Sequence, residues 1–378
     1  MNEPDAQRLT FNTLGKYDWP TMPTDESLKR FGWRVWKYFE NDERDPFIAD
    51  DSLSWANKRR LDYIASPPAC APVTDEMEAT FSEWVVDDHP ARWLHLVVLP
   101  PGDRSGVLQT WAEEYGHPIV EPPPRSALLD RSADFSVPGD DSDSLIVIPR
   151  LDSWFLRHQD GLAHVRRLLE QLSVLRRHCL IGCNSWAWQF LNKAVHAGRL
   201  VPVGLVPNAF DAVRLEAWLM ELAEHDGQSD HVFRLSADGS IIDFNFFAKL
   251  SARSLGIPWV AWQLWRRALR VGPGDDRPHQ QKFPDEQTMW VSGLDDFALP
   301  RQSVNIALLT LHALLIHDSL TADELNLVTP TAEASNLLPS LVEAELVDCA
   351  DGRYACVPAA YPVIRSALIA AGFPKDVL

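Results

Sequence analysis

The sequence predicts an α/β protein whose core is a parallel sheet covered by helices. Its 378 residues, 46% hydrophobic and 23% charged, have the composition of an ordinary globular chain and the length of two or three domains. Between Trp93 and Val206, short apolar runs alternate with amphipathic stretches of helical period. The runs are apolar throughout, as strands buried on both faces are. Strands that alternate with helices in this way place ligands beyond the carboxyl ends of the strands.

Residues 1–91 read as an N-terminal aromatic-rich arm with proline turns and short helices. Its densest stretch, Phe31 to Phe39, interleaves Trp33 and Trp36 with Lys29, Arg30, Arg34 and Lys37, a pattern that can bind single strands or a membrane surface. Asp42, Glu43 and Asp45 follow at once and neutralise it, so the arm is expected to dock on the body of the protein. Residues 92–208 carry the α/β core: strands at 93–99, 145–148, 179–183 and 201–206, with helices at 107–115, 162–175 and 186–197. Residues 209–300 read as a helical lid and linker, with helices at 210–222 and 244–269, no strands between them, and an acidic, proline-rich link at 272–284. Residues 301–378 give a helix at 304–316, a short one opened by Thr321 with Glu324 three residues on, and a third at 330–344. Two short strands then flank Asp351 and Gly352, a hairpin turn signal, before a terminal helix. Three helices and a β-wing make a winged helix.

This order of parts resembles the P-loop NTPases of the AAA+ and STAND type in the arrangement of Orc/Cdc6-like proteins: an α/β core, a helical lid, then a winged helix. The resemblance covers the architecture of residues 92–375 and implies ATP and magnesium held at two motifs, and both motifs are degraded here. The first needs two glycines, a lysine and a hydroxyl so that bare amides and one cation hold the phosphates. The corresponding stretch, Pro101 to Leu108, has Gly102 and Gly106 one residue too close, Val107 in place of lysine and Leu108 in place of the hydroxyl. Arg104 is its one cation, and Asp103 sets a negative charge beside any phosphate. The second motif should end a buried strand in acids that hold magnesium. Leu145 to Ile148 instead runs into Pro149 and Arg150, with the first carboxylate at Asp152. Asn184, at the tip of the third core strand, stands where such folds keep a γ-phosphate sensor, beside Ser185.

Gly102, Arg104, Gly106, Asp152 and Asn184 are therefore the remnants of a cofactor site, with no catalytic residue, no cofactor and no metal site predicted. The chain reads as a pseudo-ATPase that acts as a scaffold, adaptor or regulatory subunit, with a bacterial multi-protein complex as its setting. The alternatives are a winged-helix nucleic-acid-binding regulator and a residual ATPase completed by a partner subunit. Hydrolase, zinc and dinucleotide motifs are missing from the sequence. Paired acids at Asp50-Asp51, Asp87-Asp88, Asp140-Asp141 and Asp295-Asp296 read as solvated turns.

Charge sets the partners. Thirty-five Lys and Arg stand against 53 Asp and Glu, a net charge of −18, so nucleic acid and anionic membrane are repelled unless a local basic patch overcomes the field. Protein partners fit better, through Trp33 and Trp36 and through the basic helices bearing Arg166 and Arg167 and Arg266 and Arg267. Residues 301–378 hold four Lys or Arg against nine Asp or Glu, so no duplex DNA is expected there. Five scattered cysteines and no long apolar segment read as a reduced cytoplasmic protein without membrane insertion. Homo-oligomerisation suits the fold class and is specified by nothing in the sequence.

Overall fold

In the computed structural model of the chain, the described residues are 11–22, 54–56, 58–66, 70–130, 134–135, 137–138, 145–201, 204–224, 231–272, 287–300, 303–329 and 335–378. The expected anchors Trp33 and Trp36, and the acid pairs at 50–51 and 140–141, lie outside them. In chain order the main elements are β1 (Phe11–Thr13), β2 (Ser54–Trp55), α1 (Lys58–Ile64), α2 (Ala71–Val85), β3 (Leu94–Leu99), α3 (Val107–Glu114), β4 (Ile146–Ile148), α4 (Ala163–Val174), β5 (Cys179–Asn184), α5 (Ser185–Ala194), β6 (Gly204–Pro207) and α6 (Ala212–Leu222). They continue with β7 (His231–Leu235), α7 (Phe244–Arg253), α8 (Pro258–Ala268), β8 (Leu269–Val271), β9 (Gln287–Val291), α9 (Val304–His317), β10 (Ser319–Leu320), α10 (Ala322–Val328), α11 (Leu338–Glu343), β11 (Val347–Ala350), β12 (Arg353–Cys356) and α12 (Tyr361–Ala370).

The chain forms two compact units. The first takes residues 1–18, 69–208 and 297–378, and the second takes 19–68 and 209–296. The arm expected over 1–91 is thus divided between them.

In the first unit, β1-β6-β3-β5-β4 make a five-stranded sheet. The three pairings among β6, β3, β5 and β4 are parallel, and β1 closes one edge antiparallel to β6. This is the mostly parallel α/β sheet that continuous apolar runs require: all six residues of β5 are buried, as are all three of β4. Gly182 is demanded by close approach, since a Cβ there would lie 2.2 Å from the Pro149 carbonyl oxygen. The edge strand β1 is a correction to an arm of proline turns and short helices over 1–91.

The C-terminal part of this unit is a winged helix. Helix α9 is apolar on nearly every face and buried along its last eleven residues except Leu309 and His312, as a helix at the centre of a core is. Thr321 and Glu324 form a complete capping box at the start of α10. Asp351 and Gly352, both at positive φ, turn β11 into β12, and β10 adds a third wing strand on the far side of β12. Of the expected third helix, 330–344, residues 330–334 lie outside the described ones, and a 3₁₀ turn at Ser335–Leu337 leads into the six residues of α11. The tail folds back, and the buried Asp376 carboxylate accepts from Ser185 Oγ (3.2 Å), Tyr361 Oη (2.8 Å) and Arg365 Nε (2.8 Å).

The second unit corrects the helical lid. It contains a four-stranded sheet, β2-β8-β9-β7, in which only β7 and β9 are parallel. Leu269, Val271, Met289, Val291 and Phe233 are buried on one face, and the Phe233 ring lies 5.0 Å from Trp265 of α8. Phe246 of α7 meets the same indole at 5.7 Å. The expected helix 244–269 is two helices, broken where Leu255 and Gly256 both take positive φ.

Candidate functional site

The candidate site lies at the carboxyl ends of β3, β4 and β5, where the loop from Pro101 to Gly106 leads from β3 into α3. Gly106 takes φ +63° and turns the chain into the helix, leaving the first backbone amides without intrahelical partners. In a phosphate-binding loop such amides face an anion. Here the anion is the protein's own: Asp103 Oδ1 accepts from the amides of Ser105 (3.1 Å) and Gly106 (3.1 Å) and from Ser105 Oγ (2.7 Å), and Asp103 Oδ2 accepts from the amide of Val107 (2.8 Å). Burial pushes the Asp103 carboxyl up from its ordinary range, while the bonds from Ser105 and Val107 pull it down.

The segment after β4, Pro149 to Trp154, repeats the pattern. Arg150 donates to Asp152 at 2.7 Å and to Asp318 at 3.0 Å, and Asp152 is itself almost fully buried. The adjoining Asp152 carboxylate drives the Arg150 guanidinium above its already high value, against the cost of burial. Asp318 follows α9 directly, so this pair fastens the winged helix to the end of the core sheet.

The other remnants do the same. Asn184 caps α5 by accepting from the Ala187 amide (2.8 Å), and its Nδ2 donates to the Ile316 carbonyl of α9 (3.3 Å). Arg104 pairs with Asp348 of β11 at 2.6 Å and donates to the Cys356 carbonyl at 3.2 Å. A Cβ on Gly102 would press on Pro358 at 3.2 Å. Thus all five expected remnants gather at one edge of the sheet, and Arg104, Asp152 and Asn184 each act on the C-terminal part of the chain, Asp152 through Arg150.

Three further residues, which the sequence reading did not place at the site, complete the seam. Arg125 donates to the His317 carbonyl (3.2 Å), and Arg157 donates through Nε and Nη2 to the Val328 carbonyl (3.0 and 2.8 Å). The Arg157 amide meets His317 Nε2 at 3.2 Å. Burial, with Arg125 and Arg157 beside it, holds the His317 imidazole far below its ordinary pKa, and burial with Arg157 takes His312 down to about 3.

The hollow that remains, about 400 Å³ with its open mouth, is lined by Gly102, Asp103, Gly106, Asp152 and Asn184 with Arg150 and Asp318. Three carboxylates face one guanidinium there, and the amide cradle is filled. These residues do not fit a magnesium nucleotide, since triphosphate oxygens would meet net negative charge and no lysine. No group of three or more His, Cys, Asp or Glu suited to a metal occurs among the described residues.

Three of the four expected interaction arginines have partners within their own units. Arg167 meets His164 Nδ1 (2.9 Å) and lies over the Phe135 ring, while Arg166 is exposed on α4. Arg266 bonds the Ala65 carbonyl (3.0 Å) and Asp62, and Arg267 pairs with Asp295 at 2.7 Å. Asp296 pairs with Arg253 while its side chain stays 82% exposed, so the acid pair 295–296 is a solvated loop that also reaches the ends of α7 and α8.

No family model and no curated protein match the chain. Among solved structures it is similar to Cdc6p from Pyrobaculum aerophilum, at 12% identity over 84% of this chain and 99% of that one, with a TM-score of 0.31. So loose a superposition carries no argument about activity; the α/β class rests on the parallel sheet itself.

Proposed function

We propose that this chain is a catalytically inactive NTPase-like protein that works through protein contacts as a scaffold, adaptor or regulatory subunit. The observation that carries the reading is Asp103, whose carboxylate takes the amides that would otherwise hold a phosphate. Arg150 and Asp318 support it, because an ion pair to the winged helix stands where magnesium-binding acids would. The winged helix serves the same reading: its wing cation, Arg353, pairs with Glu324 at 2.9 Å and donates to the Ser319 carbonyl at 2.9 Å. That leaves duplex DNA no basic reading surface on the described part of this module.

Thermal unfolding with and without millimolar magnesium ATP tests the proposal. A ligand at 100 times its dissociation constant stabilises by roughly 2.7 kcal/mol, a shift readily seen. No shift is expected for the native chain. A clear upward shift, or ATP turnover, would overturn the reading in favour of a residual ATPase. Asp103→Ala sharpens it: with three amides orphaned, the variant is expected to lose about 2–4 kcal/mol, and added phosphate to recover part of that loss.

A further inference from the structure

The hollow at the carboxyl edge of the first unit's sheet does not fit phosphate, yet it holds acceptors that the fold leaves unused. Arg150 takes Oδ2 of Asp152 (2.7 Å) and Oδ2 of Asp318 (3.0 Å). Among the described residues no donor meets Oδ1 of either carboxylate. The Asp152 side chain is 3% exposed, and the hollow is what it lines. Its Oδ1 is not one of the buried atoms sealed without a partner, so that oxygen is reached through the hollow. Asp318, directly after α9, brings its carboxylate to the same place from the winged helix. Asp103 is already met by three amides and a hydroxyl. Asp152 and Asp318 against Arg150 alone leave one negative charge uncancelled at the floor of the hollow.

We propose that this hollow takes a primary ammonium group on an aliphatic stem, its N–H groups bonding Asp152 Oδ1 and Asp318 Oδ1 and its methylenes lying against Leu99, Pro101, Leu108 and Pro149. The lysine side chain of a partner protein and a free aliphatic amine share that chemistry. Single free oxygens on two separate carboxylates suit a compact cation whose three N–H groups rotate freely. A second guanidinium would want both oxygens of one carboxylate, and Arg150 has taken one from each. One ammonium also cancels the one residual charge. A divalent cation would exceed it beside Arg150 and would need about six oxygens, a set that no cluster among the described residues offers. The volume, about 400 Å³ with the open mouth, admits the four-carbon stem of a lysine. The inference deepens the scaffold reading and rests on it in one respect, that the hollow is free of nucleotide.

The test is isothermal titration of the full chain with three monovalent probes: a short, otherwise uncharged peptide carrying one internal lysine, the same peptide with that lysine trimethylated, and n-butylamine. Saturable one-site binding of the lysine peptide is expected, roughly 10-fold or more tighter than the trimethylated one, which keeps the charge and loses the N–H donors. A peptide tighter than n-butylamine assigns the hollow to a partner's lysine, and equal or reversed affinity assigns it to a free amine; both sustain the ammonium site. Asp318→Asn removes the residual charge and should weaken binding by about the same factor. Gln109 lines the mouth and is exposed on α3, so Gln109→Lys is expected to fold as the native chain does and, with a resident ammonium, to weaken binding likewise. No saturation by either amine up to about 10 mM would overturn the proposal. So would equal affinity for the trimethylated peptide, or affinity indifferent to both variants, which would show only the general attraction of cations to a chain of net charge −18. A magnesium ATP shift would break the scaffold reading, whereas absent amine binding without such a shift would break this inference alone.

Discussion

Two sheets in this molecule present arginines at a surface, and they spend them differently. At the carboxyl edge of the first unit's sheet, Arg104 and Arg150 meet carboxylates, and Arg125 and Arg157 meet carbonyls, all supplied by the winged helix or the adjoining strand end. In the second unit's sheet, Arg270 stacks on the Trp55 indole and donates to the Arg267 and Leu269 carbonyls. Pairing with a carboxylate cancels the field that a guanidinium projects; stacking on a ring leaves it in place. Counting cations therefore misleads, and the partner of each cation decides what it contributes to a surface.

The largest effect is expected where the closed edge is opened. Arg150→Ala would leave Asp152, 3% exposed at its side chain, without its cation. Loss of one partner of a buried pair costs 3–5 kcal/mol, and because Arg150 is itself 40% exposed the expected cost is about 3 kcal/mol. Urea unfolding measures it. A loss below about 1 kcal/mol would mean that the edge is closed by packing alone, and the contrast with the second unit's sheet would lose its electrostatic basis.

A smaller, pH-dependent effect sharpens the same contrast. His317 and His312 are kept neutral in the fold by burial and by Arg125 and Arg157, so their pKa values lie below the unfolded value near 6.5. The unfolded chain therefore takes up protons first as pH falls. Their contribution is intact above about pH 6.5 and is lost below it, at up to about 1.4 kcal/mol per pH unit per histidine until the folded pKa is reached. Melting temperatures from pH 7.5 to 5.5 should fall, and His317→Gln should flatten part of the slope. An unchanged slope in the variant would remove His317 from the seam's energetics.

How far the sequence disclosed this follows from the range of each interaction. The strands around Val147 and Ile181, the capping box at Thr321 and Glu324, and the turn at Asp351 and Gly352 are local patterns, and they were legible. The strands β7, β8 and β9 were not, because each is five residues or fewer and mixes polar with apolar positions, as His231–Leu235 does. The remnant residues were found by position in a degraded motif, but their partners were not: Asn184 reaches Ile316, and Arg104 reaches Asp348, with no spacing rule connecting them. Asp103 was legible as a charge hostile to phosphate. That it satisfies the amides itself had one local signal, a carboxylate shortly ahead of a helix start.

The smallest effect is expected at the rim of the closed edge, and it defines where the seam ends. Arg104 and Asp348 stand 2.6 Å apart, yet their side chains are 44% and 40% exposed, so water and salt screen them. Exposed pairs contribute about 0–1 kcal/mol. Arg104 also donates to the Cys356 carbonyl, so Arg104→Ala removes a second bond whose acceptor can turn to water. The expected loss is about 0.5–1 kcal/mol, and a double-mutant cycle with Asp348→Ala should return a coupling under about 1 kcal/mol that disappears near 1 M salt. A salt-resistant coupling as large as the loss at Arg150 would show that the rim is as dry as the interior. The closed region would then extend over the whole glycine loop.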